Sequence, residues 1–270
     1  MRGSETRDSF HNMPAPTSVL ALFAHPDDAE FLCAGTLAHL AERGASIHIA
    51  TMTAGDCGSA ILPAARITRI RRNEARRAAQ LIGAPYTCLE QKDLLVLYDA
   101  PTIRKVLELV RQVNPDLVLT HSPVDYMVDH ETTSRLTQSG CFAAMAPNFR
   151  TGARRPAKAT RAVPHLYYAQ PFGGRDIYGN EIRSRVYVDI ASTYELKERM
   201  LACHESQQTW LRAQQEISRP EDPLREMAER AGALSGFRLA EGFRQHLGQG
   251  FPQGNLLGRL LGDLVRVVES

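Results

Sequence analysis

Two short, almost uninterrupted apolar runs, Ser18 to Ala24 and Leu117 to Thr120, constrain this 270-residue chain more than any other feature. A strand that is apolar on both faces needs a packed layer on each side of its sheet, and such strands belong mostly to parallel sheets covered by helices. Helical spacing follows the first run. Phe31, Leu32, Ala34, Leu37, Ala38 and Leu40 recur at the helical period between Glu30 and Arg43, and Gly44 supplies a stop. Ser46 to Thr53 alternates as a second strand, Ile67 to Ile82 reads as an Arg-rich helix, Tyr86 to Leu89 as a weaker strand and Pro101 to Val113 as a third helix. This rhythm predicts an α/β fold: a Rossmann-like, doubly wound, mostly parallel sheet joined by right-handed crossovers.

After Met145 the alternation lapses. The stretch from Pro147 to Pro164 reads as a loop, His165 to Ala169 and Val186 to Ile190 as added strands, Tyr194 to Gln207 as a helix and Asn255 to Val268 as an amphipathic C-terminal helix. The domain reading is a flexible leader over 1–16 and a single domain over 17–270. Within it 17–145 form the doubly wound core, and 146–270 add the loop, extra strands and helices.

Composition works by exclusion. Thirty-two Lys plus Arg against 30 Asp plus Glu leave a formal charge of +2, without the basic excess of a nucleic-acid-binding surface. The apolar runs fall far short of the ~20 residues needed to cross a bilayer, so no membrane span is expected. Five cysteines, odd in number and without a Cys-x-x-Cys, indicate neither a disulfide framework nor a zinc finger, and favour a reducing, cytoplasmic compartment.

The chemistry gathers at the ends of the two apolar runs. Ala24-His25-Pro26-Asp27-Asp28 follows the first, with Pro26 suited to open a helix; His121-Ser-Pro-Val-Asp125-Tyr-Met-Val-Asp129-His130 follows the second. In a doubly wound sheet the first and fourth strands lie side by side where strand order reverses, and ligands bind at that edge. Helix capping accounts for either aspartate alone, but not for two such loops facing each other. Two imidazoles and a carboxylate are the ligand set of a catalytic zinc site, whose open position holds an acidified water. His25 and Asp28 supply part of that set, and Asp27 between them is the free carboxylate that takes the proton. One Zn2+ per chain is the preferred reading, although the same donors accept other divalent ions.

These residues resemble the PIG-L or LmbE-like N-deacetylases, zinc enzymes that remove acyl groups, usually acetyl, from amino-sugar amides. The resemblance is carried by Ala-His25-Pro-Asp27-Asp28-Ala-Glu30, Gly35-Thr36, Arg71-x-x-Glu74, Asp129-His130 and His204-Glu-Ser-Gln207. It implies that His25, Asp28 and His130 bind zinc, that Asp27 is the general base, and that Arg71 faces the substrate or fixes the loop over it. It further implies a homo-oligomer acting on a small-molecule N-acylated amino sugar. Asp125 is the other expected substrate contact. Many members of the family carry a second histidine at the position of Met127, and a thioether is no substitute donor. A replacement is therefore expected near the metal: His121 first, with His204 and Tyr126 behind it.

The expected activity is zinc-dependent hydrolysis of an N-acetyl or other N-acyl group. Two alternatives stand beside it: an amidase acting on a thiol conjugate or modified natural product, and a non-catalytic metal- or sugar-binding protein. A nucleotide-dependent oxidoreductase is disfavoured because the first strand lacks a Gly-x-Gly-x-x-Gly turn. The six arginines between Arg66 and Arg77 read as a solvated helix face with Glu74 pairing locally, Arg71 excepted. Residues 54–65 and 147–164 are expected to line the cleft. The stripe of Leu256, Leu257, Leu260, Leu261, Leu264 and Val268 suits self-association or docking on its own domain.

Overall fold

The first strand, β1 (Ser18–Phe23), is apolar on both faces because both are covered. Val19, Ala21 and Phe23 enter one buried cluster, while Leu20 and Leu22 enter another on the opposite side of the sheet. Val19, Leu20, Leu22 and Phe23 each contribute about 1.5–3 kcal/mol when fully buried, the single methyl of Ala21 less. The computed structural model describes residues 17–208 and 221–269, and the expected leader over 1–16 lies outside the described residues.

From β1 the chain runs through α1 (Asp28–Glu42), β2 (Ser46–Thr53), α2 (Ala64–Gln80), β3 (Tyr86–Gln91), α3 (Ala100–Val113), β4 (Leu117–Thr120) and α4 (Val128–Ala143) to β5 (His165–Ala169). Local chemistry sets the helix ends. Asp99 caps α3 by accepting from the Thr102 N–H at 2.9 Å, and Gly44 beyond α1 takes the left-handed turn that ends that helix. The second part adds β6 (Val186–Asp189), α5 (Tyr194–Ala202), α6 (Glu221–Ser235), β7 (Ala240–Gln245), α7 (Leu256–Leu261) and β8 (Val265–Val267).

All eight strands form one sheet, in the order β3-β2-β1-β4-β5-β7-β6-β8. The first five are parallel. β7 then pairs antiparallel with both β5 and β6, and β8 closes the far edge against β6. The doubly wound expectation holds, and strand order reverses at β1, between β2 and β4.

The second part departs from the sequence reading in several places. The helix expected over Tyr194 to Gln207 ends at Ala202, and a separate helical turn begins at 205. The C-terminal helix is one and a half turns long, because Gly262 takes φ 60, ψ −125 and turns the chain into β8. Leu257 and Leu261 lie wholly in the core, with Leu256, Leu260 and Leu264 packed against it. The leucine stripe therefore docks on its own domain and carries no argument for self-association.

Helix α6 and strand β7 escaped the sequence reading. β7 reads Ala-Glu-Gly-Phe-Arg-Gln, too polar for an internal strand, yet Glu241 is buried. Its carboxylate accepts from Lys197 Nζ at 2.6 Å and from the N–H groups of Gly35 and Thr36 at 3.0 and 2.8 Å. Gly35 lets α1 approach this close, since a Cβ there would meet Ile190 at 2.6 Å. The 147–164 loop packs on α3 instead of lining a cleft: Arg111 donates to the carbonyls of Ala144, Ala146 and Phe149, and Glu108 accepts from the Ala157 N–H. No helix among the described residues is long and apolar enough to cross a membrane.

Candidate metal centre

β1 and β4 are neighbours in register, Leu22 beside Thr120, so the loops leaving them meet at one edge of the sheet. Asp27 lies between β1 and α1 with φ 98 and ψ −23, a left-handed conformation that aspartate tolerates better than most residues. Pro26 therefore does not open the helix as expected, because this turn separates it from α1. Asp28 begins α1, and its Oδ2 accepts from the His25 N–H at 2.7 Å, fixing the loop on itself.

His25, Asp28 and His130 each offer a ligand atom, and these atoms lie within 4.8 Å of one another. Asp28 stands between the two rings, 3.4 Å from His25 Nδ1 and 3.6 Å from His130 Nε2. Behind the rings stand other carboxylates. His25 Nε2 is 3.1 Å from Asp129 and 3.2 Å from Asp93, and His130 Nδ1 is 2.9 Å from Asp125. A ring that donates its N–H to a rear carboxylate presents a lone pair in front, which is how ligating histidines are oriented in metal sites. Two imidazoles, one carboxylate and this rear support fit zinc or a similar divalent ion.

Burial and neighbouring charges set the local electrostatics. Burial works against the His25 cation, yet hydrogen bonds to Asp129, Asp28 and Asp93 outweigh it and raise its pKa. Burial alone would raise Asp28, but His130 and His121 hold it well below the usual carboxylate range. Asp27 is pushed up to about 6 by burial, with Arg71 opposing. His121 is depressed to about 4 by burial and by His130.

The expected auxiliary residues separate into two groups. His121 is wholly buried, its Nε2 3.0 Å from Asp28 Oδ2, its ring stacked on His130 at a centroid distance of 3.9 Å and edge-on to Phe23. It stands behind Asp28 and does not face the cavity, which corrects its expected place as first replacement donor. His204 and Tyr126 do line the cavity. His204 Nε2 sits 3.4 Å from Glu30 Oε1, and this buried carboxylate raises the His204 pKa against the effect of burial.

Of the two expected substrate contacts, Asp125 is reassigned and Arg71 keeps its expected place beside the cavity. Asp125 is 2% exposed and holds His130 from behind, so it backs a candidate ligand and does not reach the cavity. Arg71 borders the cavity, but its Nη2 donates to the Pro26 carbonyl at 2.7 Å and to Asp27 Oδ1 at 3.3 Å. A Cβ added at Gly55 would overlap its guanidinium, so the 54–58 loop lies directly on it. Three residues along α2, Glu74 accepts from Ser206 N–H and Oγ at 2.9 and 2.6 Å. Its partner is distant in sequence, not local. Helix α2 thus braces both the Asp27 turn and the His204-Glu-Ser-Gln207 segment.

Sequence reasoning missed the roles of Asp93, Asp129 and Glu30. One signal was available for Asp93: it follows β3 as His25 follows β1, and Thr53 at the end of β2 donates to it at 2.8 Å. The resulting cavity, about 520 Å³, has His25, Asp27, Asp28 and His130 among its polar lining and Phe31, Leu32, Leu94, Tyr126, Phe172 and Leu201 along its apolar wall.

Residues 20–141, which contain both loops, match the family model described as PIG-L, GlcNAc-PI de-N-acetylase. The chain is 27% identical to 4-oxalmesaconate hydratase from Pseudomonas putida over 74% of its own length and 78% of that protein. It is also 27% identical to diacetylchitobiose deacetylase from Thermococcus kodakarensis, over 84% and 82% respectively. Its fold matches N,N'-diacetylchitobiose deacetylase from Pyrococcus horikoshii with a TM-score of 0.72 at 24% identity, covering 86% of this chain and 84% of that one.

Proposed function

Because this chain belongs to the PIG-L or LmbE-like family, we propose that it is a metal-dependent amide hydrolase removing an N-acetyl or other N-acyl group from an amino-sugar-containing small molecule. The observation that carries this reading is a preorganised donor set, His25, Asp28 and His130, with the unligated carboxylate of Asp27 on the same cavity. A zinc or similar ion held by those three side chains supplies Lewis acidity and lowers the pKa of water.

The remaining work falls to the chain's own groups. Asp27 takes a proton from the attacking water at a carboxylate oxygen and returns it to the departing nitrogen. A C–O bond forms, the C–N bond breaks, and a carboxylate and a free amine leave. Arg71 keeps Asp27 aimed through the Pro26 carbonyl and Asp27 Oδ1. Asp125, Asp129 and Asp93 fix the ring orientations of His130 and His25. His204 and Tyr126 are the hydrogen-bond donors on the cavity wall that serve in place of an imidazole at Met127. Residues 17–270 act as one catalytic unit in a reducing, cytoplasmic setting, and self-association rests on the family resemblance alone.

A second reading, addition of water to an unsaturated acid, is supported by the likeness to the Pseudomonas putida hydratase. The same carboxylate base serves either reaction. The deciding experiment incubates the metal-loaded protein with a panel of N-acetylated amino sugars, assaying primary amine and acetate in parallel. Equimolar release of both supports the hydrolase. Absence of amine release across the panel, with hydration of 4-oxalmesaconate, overturns it in favour of the second reading.

A further inference from the structure

The apolar wall of the cavity continues outward onto the surface. Leu94, Tyr126 and Phe172 all line the cavity, yet remain 62%, 58% and 42% exposed. Large apolar side chains normally leave the surface when folding allows it, and a cluster of them at the mouth of a cleft marks a binding surface. Tyr126 and Phe172 lie 6.1 Å apart between ring centroids, and Phe172 continues to Phe31 at 5.5 Å, so the aromatic surface runs from the rim to α1.

Leu94 is held at this rim against its backbone preference. Its φ is 62, in the left-handed region that a branched side chain rarely adopts. Asp129 holds it there, accepting from the Leu94 N–H at 2.7 Å and the Val96 N–H at 3.3 Å while its Oδ2 lies 3.1 Å from His25 Nε2. One carboxylate thus couples the orientation of a metal-centre imidazole to the placement of an apolar side chain at the cavity mouth. Strain of this kind persists where the surroundings over-determine it, typically at ligand-binding sites.

We propose that Leu94, Tyr126 and Phe172 form an apolar subsite for the non-reacting part of the substrate. The preferred substrates are then amides whose amine side carries an alkyl or aryl group: alkyl or aryl 2-acetamido-glycosides in preference to free, fully hydroxylated amino sugars. The occupant is substrate because the three side chains are continuous with the cavity that holds Asp27 and the histidines. This inference rests on the amide hydrolase reading for its reaction, though not for its binding.

The test compares methyl and octyl glycosides below the micellar range. Metal-loaded protein should show kcat/KM at least about 10-fold higher for the octyl 2-acetamido-glucoside than for the methyl compound. Calorimetry with the corresponding deacetylated glycosides, which carry no amide, should show the same preference in Kd. Leu94→Asn, which suits the left-handed backbone and removes the apolar chain, should bring both ratios toward one. Phe172→Ser gives the same readout if the Leu94 variant does not fold. Amide cleavage with equal values for both glycosides overturns the subsite and leaves the hydrolase reading standing. Octyl preference in binding without amide cleavage sustains the subsite and removes the hydrolase reading. Equal binding, together with sedimentation showing an oligomer that Leu94→Asn dissociates, assigns the surface to a second copy and overturns the proposal.

Discussion

In the parallel half of the sheet, β3-β2-β1-β4-β5, the strands end at one common edge, and there the polar residues accumulate: His25 after β1, Thr53 at the end of β2, Asp93 after β3, His121 after β4. In the antiparallel half, β7-β6-β8, successive strands end at opposite edges, and among the described residues none of these strands supplies a candidate ligand or the proposed base. Its buried Glu241 grips the side of α1 through the N–H groups of Gly35 and Thr36 and α5 through Lys197. Parallel strands concentrate chemistry by geometry, whereas the antiparallel extension holds in place the helix on which that chemistry begins.

The sharpest way to break this comparison is to remove one function from each half. Asp27→Asn keeps the left-handed turn but not the proton acceptor, so kcat for amide hydrolysis should fall by ~10²–10⁴-fold. Metal content and the unfolding midpoint should stay unchanged; a fall in stability to match would place Asp27 in the scaffold. Lys197→Met should do the converse. It leaves the Glu241 carboxylate buried without its cation, a change costing about 3–5 kcal/mol in denaturant unfolding. Turnover per folded molecule should persist, and a selective loss of kcat would mean that the antiparallel half takes part in the chemistry.

Two smaller effects sharpen the parallel half internally. Asp125→Ala frees the rear nitrogen of His130 and should weaken metal retention against a competing chelator by ~10–100-fold. An unchanged KM for substrate would separate this support role from the substrate contact that its position in the sequence suggested. Gly55→Ala places a methyl group on the Arg71 guanidinium and should lower kcat by ~10-fold, about 1.4 kcal/mol, with metal content intact. A rise in KM alone would instead make Arg71 a substrate ligand.

What the sequence disclosed follows the same division. β1 and β4 were legible because a strand covered on both faces is nearly all apolar, and the abrupt change to His-Pro-Asp-Asp or His-Ser-Pro marks its end. The pairing of His25 with Asp129 and Asp93 was not legible: it depends on three loops converging, those after β1, its neighbour β4 and the more distant β3, and each aspartate by itself resembles a turn residue. β7 was hidden for a related reason. A buried Glu241 breaks the apolar pattern, and the Lys197 that compensates it lies 44 residues away. The C-terminal helix was over-extended because its leucine spacing continues past Gly262, where the backbone turns.

The left-handed turn at Asp27 also shapes which descendants of this protein are accessible. Asparagine satisfies the backbone there but is no base; glutamate is a base but meets the handedness poorly and carries its carboxylate one methylene farther out. The position answers to two independent filters, and each common neighbour of aspartate fails one of them. With Asp27 as the proposed base, activity is expected to be lost at residue 27 in a single substitution that leaves the fold untouched, without drifting by degrees toward a different acid.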